Sequence, residues 1–340
     1  MAKVNIPTVK LNNGIDMPAL GYGTWLGLDE KMNFISKDVP KLIDSLSYAI
    51  DVGYRHIDTA HVYRVEPEIG AVINKKIKEG VVTREDMFVV TKVWQHCHRK
   101  ADVEASVRGS LRRLNLDYVD LVLMHWPMSI SVNGVDEKID YLETWSGFEA
   151  VLEKGLVKSI GVSNFNIDQL KRLLANCKVP PVCLQVEINV NLMQKELVAL
   201  CNANNIAVVA YSPFGTMVPG KNYPQSPEPK LNNVNMMEIA KKHNKTVTQV
   251  VLRYLYQNDI VSLPKTITKT RVLENASIFD FNLDEKDMKT IAEFDNGFRA
   301  VCPVFFQDFQ NYPFDKIPNF SMPLPQGMLK WKNGANENID

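Results

Sequence analysis

Short, nearly continuous apolar runs alternate along this chain with segments whose apolar residues recur every three or four positions. The runs fall at residues 19–23, 56–60, 88–94, 120–126, 159–165, 182–189, 207–214 and 261–266. The periodic segments fall at 40–51, 66–78, 101–114, 142–154, 170–175, 195–203, 236–257 and 271–278. In 101–114, Val103, Val107, Leu111 and Leu114 share one helical face, while Glu104, Arg108 and Arg112 lie on the other. The runs are rich in Val, Leu and Ile with little polar alternation, the pattern of parallel strands buried on both faces. Eight β units alternating with eight α units predict an α/β fold. The expected form is a (β/α)8 TIM barrel in one domain over 1–340, with a doubly wound open sheet as the rival.

Ahead of the first run, residues 8–18 read as a hairpin, with Asn13-Gly14 supplying both positive-φ positions of a type I′ turn. Two connections are long for a barrel. One is 216–234, with four prolines; the other is 295–340, expected to be a C-terminal substrate loop and tail. Extensions at the C-terminal ends of strands shape the mouth of a barrel, and the last stretch, 319–340, is expected to fray.

Composition narrows the function classes. With 45% hydrophobic and 23% charged residues among 340, the chain is globular rather than disordered. Equal numbers of basic and acidic residues, 39 each, give no footprint for nucleic acid or an anionic membrane. No apolar run approaches the ~20 residues of a membrane span. The five scattered cysteines, without an apolar leader after Met1, fit a reducing, cytoplasmic setting rather than a disulfide framework.

The candidate chemistry lies where buried strands finish in ionisable residues. The second run contains Asp58 and is followed by Tyr63, the third carries Lys92, and the fourth ends at His125. A charge within an apolar strand is costly unless paired. The bland reading is a structural Asp58–Lys92 ion pair, a surface tyrosine and a core histidine. Placement on three consecutive strand ends, converging on one rim of a barrel, favours a site.

These residues resemble the aldo-keto reductases. The resemblance rests on Gly53-Tyr-Arg-His-Ile-Asp58-Thr-Ala-His-Val-Tyr63, Lys92 in Thr-Lys-Val-Trp and His125 in Met-His-Trp-Pro, with spacings of 5, 29 and 33 matching that family's catalytic tetrad. Leu156 to Phe165, Gln185 before Glu187, Ala210 to Phe214, Leu263-Pro-Lys-Thr and Arg271 to Asn275 extend it over most of the chain. It is strongest for the NADPH-dependent monomeric branch, with the flavour of insect members. It implies a small-molecule carbonyl substrate and NADPH as hydride donor.

Chemically, a carbonyl reductase needs a proton donor at the oxygen that becomes alkoxide. Tyrosine, with a pKa near 10, is a reluctant acid; a buried ammonium beside it would lower that value. About two pH units of lowering corresponds to roughly 2.7 kcal/mol. Tyr63 is therefore the expected general acid, Lys92 and Asp58 its tuning pair, and His125 the group that orients and polarises the carbonyl. The resemblance implies the same roles.

Gly21-Tyr-Gly23-Thr-Trp-Leu-Gly27 is one residue too long for a dinucleotide fingerprint and opens no helix, so it reads as the first strand and its loop. Barrels instead hold phosphates in loops after strands seven and eight. Lys265 and Arg271, with no acidic residue between them at a helix start, are expected to form an anion site that favours NADPH over NADH. By resemblance, Ser212 lies near the pyrophosphate, Lys265, Thr266 and Arg271 hold the 2′-phosphate, and Glu274 and Asn275 contact adenine. Ser163, Asn164 and Gln185 suit the carboxamide, and Tyr211 stacks on the nicotinamide ring. The resemblance also counts Thr24, Trp25, Asp58 and Phe214 among the cofactor-binding residues.

Trp25, Trp94 and Trp126 stand at or past strand ends and are expected to wall an apolar substrate pocket with Cys302. That favours aliphatic or aromatic aldehydes, or steroid-like ketones such as an ecdysteroid. The chain departs from the family at Arg64-Val65, in a connection at 128–141 shorter than that of vertebrate members, and in the loosely matching stretch 299–314. The shorter connection is expected to open one side of the pocket. His96-Cys97-His98 lacks two further spaced ligands, so no metal is expected. Rival functions are a non-catalytic NADP(H)-binding protein and a phosphate-handling barrel isomerase or aldolase. Neither accounts for the proton-transfer set.

Overall fold

The computed structural model describes residues 3–29, 33–218, 225–320, 322 and 324–325. Strands β1 (Thr8–Lys10) and β2 (Asp16–Pro18) form an antiparallel hairpin. Eight parallel strands follow: β3 (Gly21–Gly23), β4 (His56–Asp58), β5 (Phe88–Val93), β6 (Leu121–Met124), β7 (Ile160–Ser163), β8 (Cys183–Glu187), β9 (Ala207–Tyr211) and β10 (Ile260–Leu263). They pair in sequence order from β3 to β10. A parallel bridge between Leu20 and Ser262 brings the last strand back beside the first, with Gly23 N donating to Pro264 O at 3.2 Å. The sheet therefore closes as a barrel, and the open-sheet alternative is excluded.

The helices cover its outside: α1 (Val39–Val52), α2 (Glu66–Lys78), α3 (Lys100–Leu114), α4 (Tyr141–Glu153), α5 (Ile167–Leu174), α6 (Lys195–Ala203), α7 (Val234–Lys242), α8 (Val247–Gln257), α9 (Lys269–Ala276) and α10 (Glu285–Ala292). Outward strand residues such as Ile57, Val89, Val122, Ile160, Leu184 and Val208 pack with the apolar helix faces in one continuous core. The alternate, inward residues Phe88, Val90, Leu121, Leu123, Cys183, Val209, Val261 and Leu263 fill the barrel, plugged from below by Leu11 and Met17 of the hairpin region. At β7 the inward residue is Gly161, where a Cβ would lie 2.8 Å from Leu123 and 2.9 Å from the Cys183 carbonyl. Only glycine fits that approach.

Three local expectations need correction. The hairpin loop is not a two-residue type I′ turn: Leu11 N donates to Ile15 O at 2.9 Å, Gly14 N to Leu11 O at 2.9 Å, and only Gly14 has positive φ, at +86°. This is the three-residue loop in which one left-handed glycine follows an ordinary turn. The segment 236–257 is two helices, because Asn244 is left-handed (φ +52°) and Thr246 with Gln249 starts α8 with a capping box. Helix α10 was not anticipated; its few apolar residues form a short stripe, and its start is fixed by an Asp284–Asp287 capping box. Residues 219–224 of the long β9 connection and 326–340 of the tail lie outside the described residues.

Candidate active site

The two-residue period of the strands builds the site. On six of the eight barrel strands, β4 to β9, the inward row ends polar at the top. His56 is followed by Asp58, Val90 by Lys92, Leu123 by His125, Gly161 by Ser163, Cys183 by Gln185 and Val209 by Tyr211. The expected residues are thereby brought together at the C-terminal rim, where barrels place their reactive groups.

Lys92 is the centre. Its side chain is fully buried. Nζ donates to Asp58 Oδ1 at 2.6 Å, to Thr59 O at 3.0 Å and to Tyr63 Oη at 3.4 Å. Gln185 Nε2 holds the other Asp58 oxygen at 2.8 Å, while the Asp58 carbonyl accepts from Thr24 Oγ1 at 2.9 Å. An ammonium has three donors and no acceptor, so Tyr63 Oη must accept from Lys92. Its own hydrogen is left to point elsewhere. Tyr63 sits in the short 3-10 turn His61–Tyr63 directly after β4. Its ring packs on Trp25 at 5.0 Å and edge-on to His125 at 5.8 Å.

The titration directions follow from burial. Burial lowers the Lys92 pKa from the usual lysine range, against the raising effect of Asp58. Burial, with the charge of Lys92 added, holds His125 well below 6.5, so its imidazole is neutral at pH 7. Burial and the Asp58 charge hold the Tyr63 phenol well above 10. This reverses the expected lowering: at 3.4 Å the ammonium does not outweigh desolvation together with the carboxylate behind it. The resting tyrosine is a protonated phenol, ready to donate.

The remaining rim residues form one network. Ser163 Oγ donates to Gln185 O at 2.8 Å, Asn164 Nδ2 to His125 O at 2.9 Å, and Tyr211 Oη to Asn164 Oδ1 at 2.7 Å. Asn164 and Ser212 both have positive φ, +62° and +48°, turning the chain sharply off β7 and β9. Phe214 lies in the β9 loop, packed on the core edge. Helix α9 begins without a side-chain cap or an acidic residue in its first turn, whereas α5, α8 and α10 carry capping boxes. That start is flanked by Lys265, Arg271 and Lys269, the last not singled out from the sequence. Thr266 is buried beside them, and its carbonyl accepts from Tyr22 Oη at 2.5 Å. Asn275 is also buried, and the Glu274 carboxylate is held by Thr246 and Thr248 at 2.9 and 2.7 Å.

A separate apolar cluster walls the rim. Trp94 and Trp126 pack there with Ala60, Val62, Met128, Ile130 and Phe306, bordered by Phe305, Phe309, Tyr312 and Phe314. Trp94 meets His125 at 5.1 Å and Trp126 meets Phe314 at 5.9 Å. Cys302 lies in the same C-terminal loop, its Sγ 3.3 Å from Tyr312 Oη. The 128–141 connection does not open the pocket: Met128 and Ile130 are buried in it, and Asp136 accepts from Gln310 N at 2.7 Å. Sequence reasoning missed Phe34, which packs on Trp25 at 5.7 Å, because no strand-end signal marks it. Among the described residues no cluster of His, Cys, Asp or Glu is arranged to hold a metal, and no helix is long and apolar enough to cross a membrane.

The family model described as the aldo/keto reductase family matches residues 19–296. Aldo-keto reductase AKR2E4 of Bombyx mori is 38% identical, over 91% of this chain and 99% of its own. Aldo-keto reductase family 1 member C13 of Mus musculus is 40% identical, over 90% and 97%. The crystal structure of aldo-keto reductase AKR2E5 complexed with NADPH is 66% identical, covers 98% of this chain and all of that one, and superposes with a TM-score of 0.94. The crystal structure of AKR2E5 of the silkworm, Bombyx mori, superposes with a TM-score of 0.93 at the same identity and coverage. With a family match across the barrel, full-length relatives and the polar rim in place, the chain belongs to the aldo/keto reductase family and is an oxidoreductase.

Proposed function

We propose that the protein reduces hydrophobic aldehydes and ketones to alcohols with NADPH, using Tyr63 as proton donor. The observation that carries this reading is the bonding of Lys92. Because Nζ donates to Tyr63 Oη, the phenolic hydrogen is free to face the cleft between Trp25 and His125.

NADPH, when bound, supplies the hydride. Its fit is supported by the uncapped start of α9 with Lys265, Lys269 and Arg271 for a 2′-phosphate. Ser163, Asn164 and Gln185 suit the carboxamide, and the Tyr211 ring suits the nicotinamide. That relatives carry NADPH or NADP in their crystal structures supports the same choice. The chain's own residues then do the following. His125, neutral, donates a hydrogen bond that orients the carbonyl oxygen. Tyr63 gives that oxygen its proton as alkoxide character develops, and Lys92 strengthens its bond to the forming phenolate. Asp58 keeps the ammonium charged and in place. The aromatic wall of Trp94, Trp126 and Phe306 excludes water and favours apolar substrate bodies over sugars.

The test is NADPH oxidation against a panel of short aliphatic aldehydes, aromatic aldehydes, an aldose and steroid ketones. Turnover of apolar aldehydes or ketones with weak activity on the aldose is expected. Tight NADPH binding with no oxidation by any carbonyl would contradict the reading.

A further inference from the structure

The stretch that closes the pocket is held by polar anchors at two ends, and between them by the Gln310 N to Asp136 bond and the packing of Phe306. At its near end the fully buried Glu187, last residue of β8, accepts from Ala300 N on one carboxylate oxygen and from Val301 N on the other, both at 2.8 Å. The Glu187 carbonyl accepts from Gln194 Nε2 at 2.7 Å, and Gln194 in turn accepts from Arg299 at 3.3 Å. At its far end the capping box of α5 does a second job. Gln169 Oε1 accepts from Asn166 N at 3.1 Å to cap the helix, while Gln169 Nε2 donates to Asn311 O at 2.8 Å and Asn166 Nδ2 to Pro313 O at 3.2 Å. Between these anchors runs 302–310, which carries Phe305, Phe306 and Phe309 into the wall beside Trp94 and Trp126.

A carboxylate that accepts two successive backbone amides fixes their direction as well as their distance. Taking that charge out of water has no function in the tetrad, which Glu187 does not touch. We propose that Glu187 and Gln169 are positioning residues for substrate selection. They set the place of the aromatic wall, and so the size of carbonyl compound accepted, without touching the proton donor; Glu187 pairs in register with Tyr211, so NADPH affinity is measured beside KM in the Glu187 variant. The inference rests on the carbonyl-reductase reading.

Two variants separate this role from general stability. Gln169→Glu keeps the acceptor that caps α5, at a helix N-terminus where a negative charge is welcome, and removes only the donor to Asn311. Glu187→Gln keeps the shape and sets an amide N–H₂ against one of the two backbone N–H groups. For a short aliphatic aldehyde, too small to reach 302–310, kcat/KM is expected to stay within about twofold. For a bulky aromatic aldehyde or a fused-ring ketone, KM is expected to rise about tenfold or more with kcat less affected, since wall displacements near 1 Å carry such penalties. Amide hydrogen exchange should quicken over 302–314 alone, a readout that needs no turnover. Equal losses on small and bulky carbonyls, unchanged KM for the bulky ones, or exchange spreading through the barrel would each overturn the proposal. A wild-type protein that reduces no carbonyl would overturn the parent reading instead, while the exchange pattern would still judge the two anchors.

Discussion

Replacing Asp58 by Asn tests the charge logic of the site. Lys92 is fully buried and has one carboxylate partner, Asp58 Oδ1 at 2.6 Å. Removing one partner of a buried pair costs about 3–5 kcal/mol. With an unfolding entropy of ~2.1 cal/mol/K per residue, a 340-residue chain should lose about 4–7 °C in Tm at neutral pH. The loss has a definite pH dependence. Burial already lowers the Lys92 pKa and Asp58 opposes that lowering, so in Asp58→Asn the folded value falls further below the ~10.4 of the unfolded chain. The deficit is largest below the variant's folded pKa and shrinks as pH rises to the wild-type folded value, above which both proteins respond to pH alike. Catalysis runs the other way. A neutral amine accepts hydrogen bonds, so it would draw the Tyr63 hydrogen inward and away from the substrate. Where Lys92 has lost its proton, turnover should drop by about a hundredfold, and it should recover in part as pH falls and Lys92 regains its proton. Melting curves and kcat measured from pH 5 to 9 check both arms. Unchanged Tm, or turnover that does not rise on acidification, would refute the reasoning.

Neutralising Lys265 and Arg271 together should weaken NADPH binding far more than NADH binding, by at least about tenfold in their Kd ratio, read by fluorescence quenching; equal losses would remove them from the 2′-phosphate site. Arg113→Met should destabilise the fold by about 3–5 kcal/mol, because it leaves the buried Glu66 carboxylate, 2.7 Å from Arg113 Nε, without its cation; a Tm within 1 °C of wild type would show that the pair carries no such weight. Trp94→Ala, which opens the wall beside His125, should cost about 3–5 kcal/mol of stability and lower kcat/KM for aromatic aldehydes more than for short ones; a uniform loss would place Trp94 outside the substrate contact.

The barrel was legible because its strands are buried on both faces, leaving near-unbroken apolar runs that no exposed strand would tolerate. The polar cluster at the rim was legible for the converse reason: Asp58 and Lys92 interrupt those runs, and a charge survives there only with a partner. Glu187 gave the same signal at the end of β8, yet its role was hidden because its partners are backbone amides about 113 residues downstream, which leave no mark in side-chain identity. The direction of the Tyr63 pKa was missed for a related reason. Sequence names the charges around a phenol, but the balance between desolvation and a 3.4 Å ammonium depends on geometry. The split of 236–257 turned on one left-handed asparagine, a backbone property that apolar periodicity does not record.

The central claim is that Tyr63 delivers the proton while the rest of the rim binds and orients. Single-turnover NADPH oxidation with an aromatic aldehyde, measured for Tyr63→Phe beside wild type, tests it most directly. The ring is kept and only the hydroxyl is lost. The expected result is a fall of about a hundred- to ten-thousandfold in the rate of reduction with NADPH affinity unchanged. A rate within a few fold of wild type would contradict the account and move the proton to another donor.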